Sequence, residues 1–225
     1  LNKINVNSSF SFRTVSPDEG SKAIESLKNK STKDVDNIST ELIKILKDDI
    51  LQPLTTILNQ CINNSIFPEK LKIARVIPIY KKGCPKSFDN YRPISILPAL
   101  SKIYERIMHK QLCDYFTSND LFYQSQYGFR PKHSTEYAAL ELIDNVMSNL
   151  DNNESYLSTF IDLSKAFDCI DHSLLLRKLH KYGLDPSAIK LIQCYLSNRK
   201  QYVELDKHKS ELLPICIGVP QGSIL

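Results

Sequence analysis

Tyr156 to His172 reads YLSTFIDLSKAFDCIDH. Its first half is aromatic, aliphatic and β-branched, which predicts a strand over YLSTFIDL. Side chains alternate along a strand, so Tyr156, Ser158, Phe160 and Asp162 share one face and Leu157, Thr159, Ile161 and Leu163 the other. The second face is the plainer core face. Asp162 then sits at the end of a rigid element, on the half-polar face, beside the chain exit. That placement suits a hard oxygen ligand for Mg²⁺, and it equally suits an N-cap for the turn SKAFD or a solvated strand end. Asp171 precedes SLLL and reads as a helix cap. Asp168 shares no simple helix or strand face with Asp162 and reads as structural.

The chain has 225 residues, 42% hydrophobic and 24% charged, enough for one large domain or two small ones. Only 6 glycines, no tryptophan and no low-complexity tract make disorder an expectation for the ends alone. A net charge of +4 permits a polyanionic partner without demanding one. The 6 cysteines stand singly and form no C-x-x-C, so neither a zinc ribbon nor a thioredoxin-type pair is readable. Cys169 and His172 leave a zinc site open on paper; scattered reduced thiols are the expected reading. No signal peptide and no apolar run of membrane-spanning length occur in these residues. The first residue is Leu, and PQGSIL ends inside an apolar segment, so a piece of a longer chain is expected.

Ser16-Pro17-Asp18-Glu19 predicts a capping box opening a helix through about Lys28. Ser39 or Thr40 opens a helix with Leu42, Ile43, Leu46, Ile50, Leu54, Ile57, Leu58, Cys61 and Ile62 on one face, kinked at Pro53. IARVIPIYKKG predicts a strand, edge-placed or bulged at Pro78, paired with YRPISIL. PALSKIYERIMHKQLCDYF, TEYAALELIDNVMSNL, SLLLRKLHKYG with Gly183 as its C-cap, and DPSAIKLIQCYLSN predict helices. KQYVELDKHKSELLPICI predicts a hairpin. Helices dominate and strands come singly or in pairs, which makes the class α+β.

Two further stretches carry chemistry. IGVPQGSIL (217–225) places a rigid proline, an amide and a glycine after an apolar strand, and Gly222 would let backbone approach a flat ligand. An ordinary turn into a helix at Ser223 is the alternative. IPIYKKGCPKSFDNYRPISIL (77–97) crowds Lys81, Lys82, Lys86 and Arg92 onto two strands and their loop, a basic ribbon suited to phosphate or a solvated loop.

FIDLSKAFDCIDH and GVPQGSIL, preceded by VIPIYKKG, NYRPISIL and QYGFRPKHST in that order, resemble the reverse transcriptases of non-LTR, jockey-like retrotransposons. The resemblance runs from about Phe10 to the last residue. It implies an α+β right-hand polymerase, helix-rich with a small antiparallel sheet. Residues 1–66 would be an N-terminal helical extension, 67–155 the fingers and 156–225 a partial palm. The activity implied is RNA-directed DNA polymerisation, with an RNA template, a DNA primer and dNTPs as partners, no membrane, Mg²⁺ or Mn²⁺ as cofactor, and the nucleus or cytoplasm as its place.

Carried over residue by residue, Asp162 matches the first palm aspartate, catalytic and metal-binding, and the Leu163 carbonyl would complete a coordination shell. Ala166 and Phe167 match the pair under the incoming sugar, Phe167 as the gate against a 2′-OH. Lys81 or Lys82, with Arg92, would hold the triphosphate. Gln221 and Gly222 match the nucleotide pocket, and Pro220 and Arg130 template contacts. Gln126, Gly128 and Phe129 lie in the same fingers segment. The family's second palm motif, aromatic-x-Asp-Asp, does not follow PQG here, and Asp48-Asp49 is in the wrong order to replace it. These residues alone are therefore expected to be inactive or nearly so. A non-catalytic nucleic-acid-binding protein, or a relic, derived from such an element is the alternative. The segment NKSTKDVDNIS resembles the family's Lys-Ser-x-Gly-x-Asp-Gly-Ile with both glycines replaced, by Asp34 or its neighbour and by Asn37, which reads as decay or divergence.

Overall fold

The computed structural model describes residues 8–163, 165–206 and 208–225. The fold is α+β, with seven helices and a small mixed sheet among these residues. It divides into two units. One joins the described residues up to Tyr115 to those from Lys165 onward; the other runs from Phe116 to 163. The segments expected in chain order, 1–66, 67–155 and 156–225, run across this division.

In the first unit the Ser16 hydroxyl accepts the Glu19 N–H while the Glu19 carboxylate accepts the Ser16 N–H, and this capping box starts α1 (Pro17–Glu25). The long helix expected next breaks at Leu46, not at Pro53, into α2 (Thr40–Ile45) and α3 (Lys47–Asn63). The Leu46 carbonyl accepts from both Asp49 and Ile50, and Asp48 and Asp49 favour a fresh helix start there. Of the apolar face expected, Ile43, Leu58 and Ile62 are buried, while Leu42, Leu46 and Ile57 remain exposed.

Strand β1 (Ile73–Tyr80) pairs antiparallel with β2 (Tyr91–Ile96) and parallel with β3 (Arg199–Leu205). Strand β3 continues antiparallel to β4 (His208–Lys209) and β5 (Leu213–Ile215). β1 is thus an inner strand, contrary to the edge position expected from Pro78. The β1–β3 pairing runs only through Val76, so Pro78 meets no neighbour on that side. On the other side Pro78 faces Pro93. The Lys81 N–H bonds the Asn90 carbonyl, and alternation along the ladder puts the proline pair at a position that exchanges no hydrogen bond. Neither missing N–H interrupts the sheet.

Helix α4 (Ala99–Ser118) buries Ile103, Tyr104, Ile107 and Met108 in this unit. Tyr104 stacks on Phe67 at 4.9 Å, and Phe67 meets Tyr195 edge-on at 5.0 Å. Tyr195 belongs to α7 (Pro186–Leu196), capped by Asp185 as the sequence predicts. The helix before it, α6 (His172–Lys181), ends in a Schellman motif. Gly183 has φ 89° and donates to the His180 carbonyl, and Leu184 donates to that of Leu179.

In the second unit α5 (Thr135–Asp151) forms as predicted, capped by Ser134, but none of its residues is buried. Tyr137, Leu140, Ile143, Met147 and Leu150 make an exposed apolar stripe. The strand expected over Tyr156–Leu163 does not form: the segment is irregular, and Leu157 is 91% exposed and Ile161 83%. A strand exists only with a partner to take its N–H and C=O groups, and no strand among the described residues pairs with it.

Candidate functional site

Two short segments of the first unit are stitched together. One is the turn Lys165–His172, closed by the Asp168 N–H on the Lys165 carbonyl at 2.9 Å. Asp171 caps α6 by accepting the Leu174 N–H at 2.7 Å, the role the sequence predicts. Its carboxyl is held below the usual range by the Ser173 hydroxyl and then the Leu174 N–H.

The other segment is Gly218–Gly222. Gly218 donates to the Ile170 carbonyl and Val219 to that of Phe167, each at 2.9 Å. The Gly218 carbonyl accepts from His172 Nε2 at 2.7 Å, so that nitrogen carries the proton. Gly218 has φ 77°, and a Cβ there would lie 2.6 Å from the Asp168 carbonyl oxygen. The Gln221 side-chain NH₂ donates to both Asp168 oxygens, at 3.1 and 3.3 Å. Asp168 therefore fixes which way the Gln221 amide faces.

The loop is also tied to β2 and α4. The Gln221 carbonyl accepts the Ser95 N–H at 2.9 Å on the side of β2 away from β1. Gly222, at φ 127°, passes so close that a Cβ would lie 2.6 Å from the Ser95 oxygen. Its freedom serves a backbone-to-backbone contact. The Ile224 N–H reaches Glu105 Oε2 at 2.7 Å, and the Ser101 hydroxyl reaches Oε1 at 2.8 Å. Burial pushes the Glu105 carboxyl up, against the pull of the Ile224 N–H and the Ser101 hydroxyl.

The basic ribbon has a defined register. Ile79 faces Arg92 and Lys81 faces Asn90, so Lys81 and Arg92 share the exposed face of β1–β2. Lys82, one residue on, leaves that face. The turn between them is held by the Tyr80 hydroxyl on the Gly83 carbonyl at 2.6 Å and the Tyr91 hydroxyl on the Pro85 carbonyl at 2.9 Å.

The remaining sequence-predicted residues fall as follows. Ala166, Phe167, Pro220, Gln221 and Gly222 are brought together in the first unit, with Phe167 half exposed and Pro220 buried. Arg130, Asp162 and Leu163 belong to the second unit. There Arg130 lies over the Phe122 ring at 5.5 Å and donates to the Tyr123 carbonyl. Asp162 is on the exposed irregular segment. Among the described residues no three His, Cys, Asp or Glu side chains group as metal ligands. One carboxylate and the Leu163 carbonyl do not make a two-ion site, so the donor set present here does not fit the pair of metals.

Of the four residues that hold the loop, Asp168 takes the structural role the sequence suggests, His172 was weighed only as a zinc ligand beside Cys169, and Ser95 and Glu105 were not singled out. Of the last two, only Glu105 had a readable signal, a carboxylate in line with Ser101, Tyr104 and Met108 on the buried stripe of α4. The glycine replacements near the N-terminus are accommodated. Asn37 takes φ 62°, which asparagine tolerates. The Asp34 carboxylate accepts from the Asp36 and Ile38 N–H groups at 2.9 Å and from the Ala99 N–H, the first of α4, at 2.7 Å.

Residues 79–225 match the family model described as reverse transcriptase (RNA-dependent DNA polymerase). The chain is 32% identical over 96% of its length to the RNA-directed DNA polymerase from mobile element jockey of Drosophila melanogaster. It is also 32% identical over 96% of its length to the probable RNA-directed DNA polymerase from transposon BS of the same species. The probable RNA-directed DNA polymerase from transposon X-element, again of that species, is 29% identical over 93% of the chain. The chain spans about a quarter of the length of these relatives, 24%, 24% and 23%. On these matches the chain belongs to the reverse transcriptase family.

Proposed function

We propose that the parent protein carries out RNA-directed DNA polymerisation, transfer of a nucleotidyl group from a dNTP to a DNA primer on an RNA template, and that these 225 residues alone do not. The observation that carries this reading is the Gly218–Gly222 loop fastened to the Phe167–Asp168 turn, with the Gln221 amide oriented by Asp168. In that reading Ala166 and Phe167 support the sugar, with Phe167 refusing a 2′-OH. Gln221 and Gly222 border the nucleotide, and Pro220 and Arg130 contact the template. The face that Lys81 shares with Arg92 supports Lys81, ahead of Lys82, as the partner of Arg92 on the triphosphate. Residues 67–155 act as fingers and 156–225 as palm. Mg²⁺ or Mn²⁺ would neutralise charge at the transferred phosphate. Asp162 supplies one ligand of that site, and no step through the metal is derived from one carboxylate.

A second reading is a non-catalytic protein derived from such an element, which keeps the basic ribbon and binds template and primer without extending them. Both readings require binding of an RNA–DNA hybrid. Its affinity should fall steeply with salt, and Arg130→Ala, at the proposed template contact, should reduce the salt slope by about 1, whereas Lys81→Ala and Arg92→Ala, at the triphosphate, should leave it unchanged. Fluorescence anisotropy of a labelled hybrid measures this. An unchanged slope in Arg130→Ala would remove that residue from the template interface.

A further inference from the structure

Away from this site, Lys72 lies at the end of a short 3₁₀ turn (Glu69–Lys72) with its side chain 1% exposed. Its Nζ has two partners: Glu69 Oε1 at 2.8 Å and Cys194 Sγ at 3.7 Å. The same sulfur receives the Phe67 N–H at 3.2 Å and faces the Phe67 carbonyl at 3.7 Å. Cys194 is on α7 and only partly buried, so small oxidants can reach it. Cys61 is the other thiol nearby. Burial pushes it up, with Cys194 the next contribution, which keeps it protonated and unreactive.

A lysine rarely stays buried unless paired. This one is held by a carboxylate on one side and a thiol sulfur on the other. That is the set needed for oxidative coupling: an electrophile once oxidised, an amine, and a base. We propose that Lys72 and Cys194 form a reversible covalent S–N cross-link under peroxide, with Glu69 as the proton acceptor.

The steps balance. Hydrogen peroxide oxidises the Cys194 thiol to a sulfenic acid and leaves as water. Lys72 Nζ gives one proton to the Glu69 carboxylate, which passes it to solvent, and then attacks the sulfur. The S–O bond breaks, and the departing hydroxide takes a second proton from nitrogen as water. The net change is loss of two hydrogens from the protein. An added thiol attacks the sulfur, frees the amine and, with a second thiol, restores Cys194. The bond would tie the start of β1 to α7.

The test uses the whole chain, treated with mild hydrogen peroxide and followed by intact mass and tryptic mapping. The expected result is a mass lower by two hydrogens, a peptide pair joined through Lys72 and Cys194, failure of trypsin to cut after Lys72, and reversal by dithiothreitol. Cys194→Ser should abolish it, Cys61→Ser should leave it unchanged, and Glu69→Gln, at an exposed position, should slow it by about tenfold or more. Cross-linked protein should melt at a higher temperature than the reduced chain. Cys194 advancing to sulfinic acid with Lys72 cleaved as before would overturn the proposal. So would a product lost in Cys61→Ser, which is a disulfide, or one joined at the Phe67 backbone nitrogen.

Discussion

The two units carry equally good sequence patterns and end very differently. Residues up to Tyr115 and from Lys165 onward contain every buried residue among those described, down to Ile24, Ile103 and Met108 at 0% exposure. Residues 116–163 contain none, although α5 repeats apolar side chains at helical spacing and 156–163 alternates as a strand should. Pattern alone says which face wants burial. Burial itself needs an opposing surface, and the first unit supplies one where Phe67, from the segment after α3, meets Tyr104 of α4 and Tyr195 of α7.

Mutations should expose this asymmetry, most sharply in the aromatic cluster. Phe67→Ala should cost about 3–5 kcal/mol, whereas Ile143→Ala on the α5 stripe should change stability by less than about 0.5 kcal/mol. Urea unfolding followed by circular dichroism gives both; similar losses would mean that α5 is packed as tightly as the first unit.

Glycines give the next contrast. Gly222→Ala meets both a positive φ and the Ser95 oxygen, and should cost about 1–3 kcal/mol. Gly128 has nothing within 4 Å of an added Cβ, and Gly128→Ala should be close to neutral. Equal melting temperatures for the two variants would show that the loop does not sit on β2.

Glu105→Ala leaves the Ile224 N–H and the Ser101 hydroxyl without their partner and should cost about 1–3 kcal/mol. Its pH dependence has a definite sign. The folded carboxyl titrates above its unfolded value of 4.5, so its contribution is full below that pH and is lost as pH rises through the higher folded value. Glu105→Gln should therefore flatten the stability profile on that side. Glu19 works oppositely. The Arg13 hydrogen bond, ahead of the opposing effect of burial, holds its carboxyl at about 2, so its contribution is present above pH 4.5 and fades as pH falls toward 2. Glu19→Gln should remove only that small acid-side loss, and an unchanged acid limb would count against the Arg13–Glu19 pair as a stabilising element.

Helix caps and strand pairs were legible because local chemistry decides them: Ser16 with Glu19, Asp171, Asp185 and Gly183 all act where they were expected. The inner position of β1 was not, because its second neighbour, β3, lies more than a hundred residues away in sequence and the Pro78–Pro93 register that makes it possible is a pairing property. The strand ending at Asp162 was misjudged for the same reason, since a ladder partner is not written into the segment itself. At the site, Gln221 and Phe167 were found by family motif, but the tie through Asp168 was invisible, because Asp168 and Gln221 are far apart in sequence and meet only when two loops close on each other.

Primer extension on an RNA template with Mg²⁺ and dNTPs tests the central claim most directly: that these residues build the nucleotide-side loop and the template–primer interface while holding one carboxylate of the metal site. The account predicts binding of the hybrid and no extension by the 225-residue chain. Template-dependent extension that disappears in Asp162→Ala would contradict it, because Asp162 would then be working with metal ligands that the described residues do not group around it.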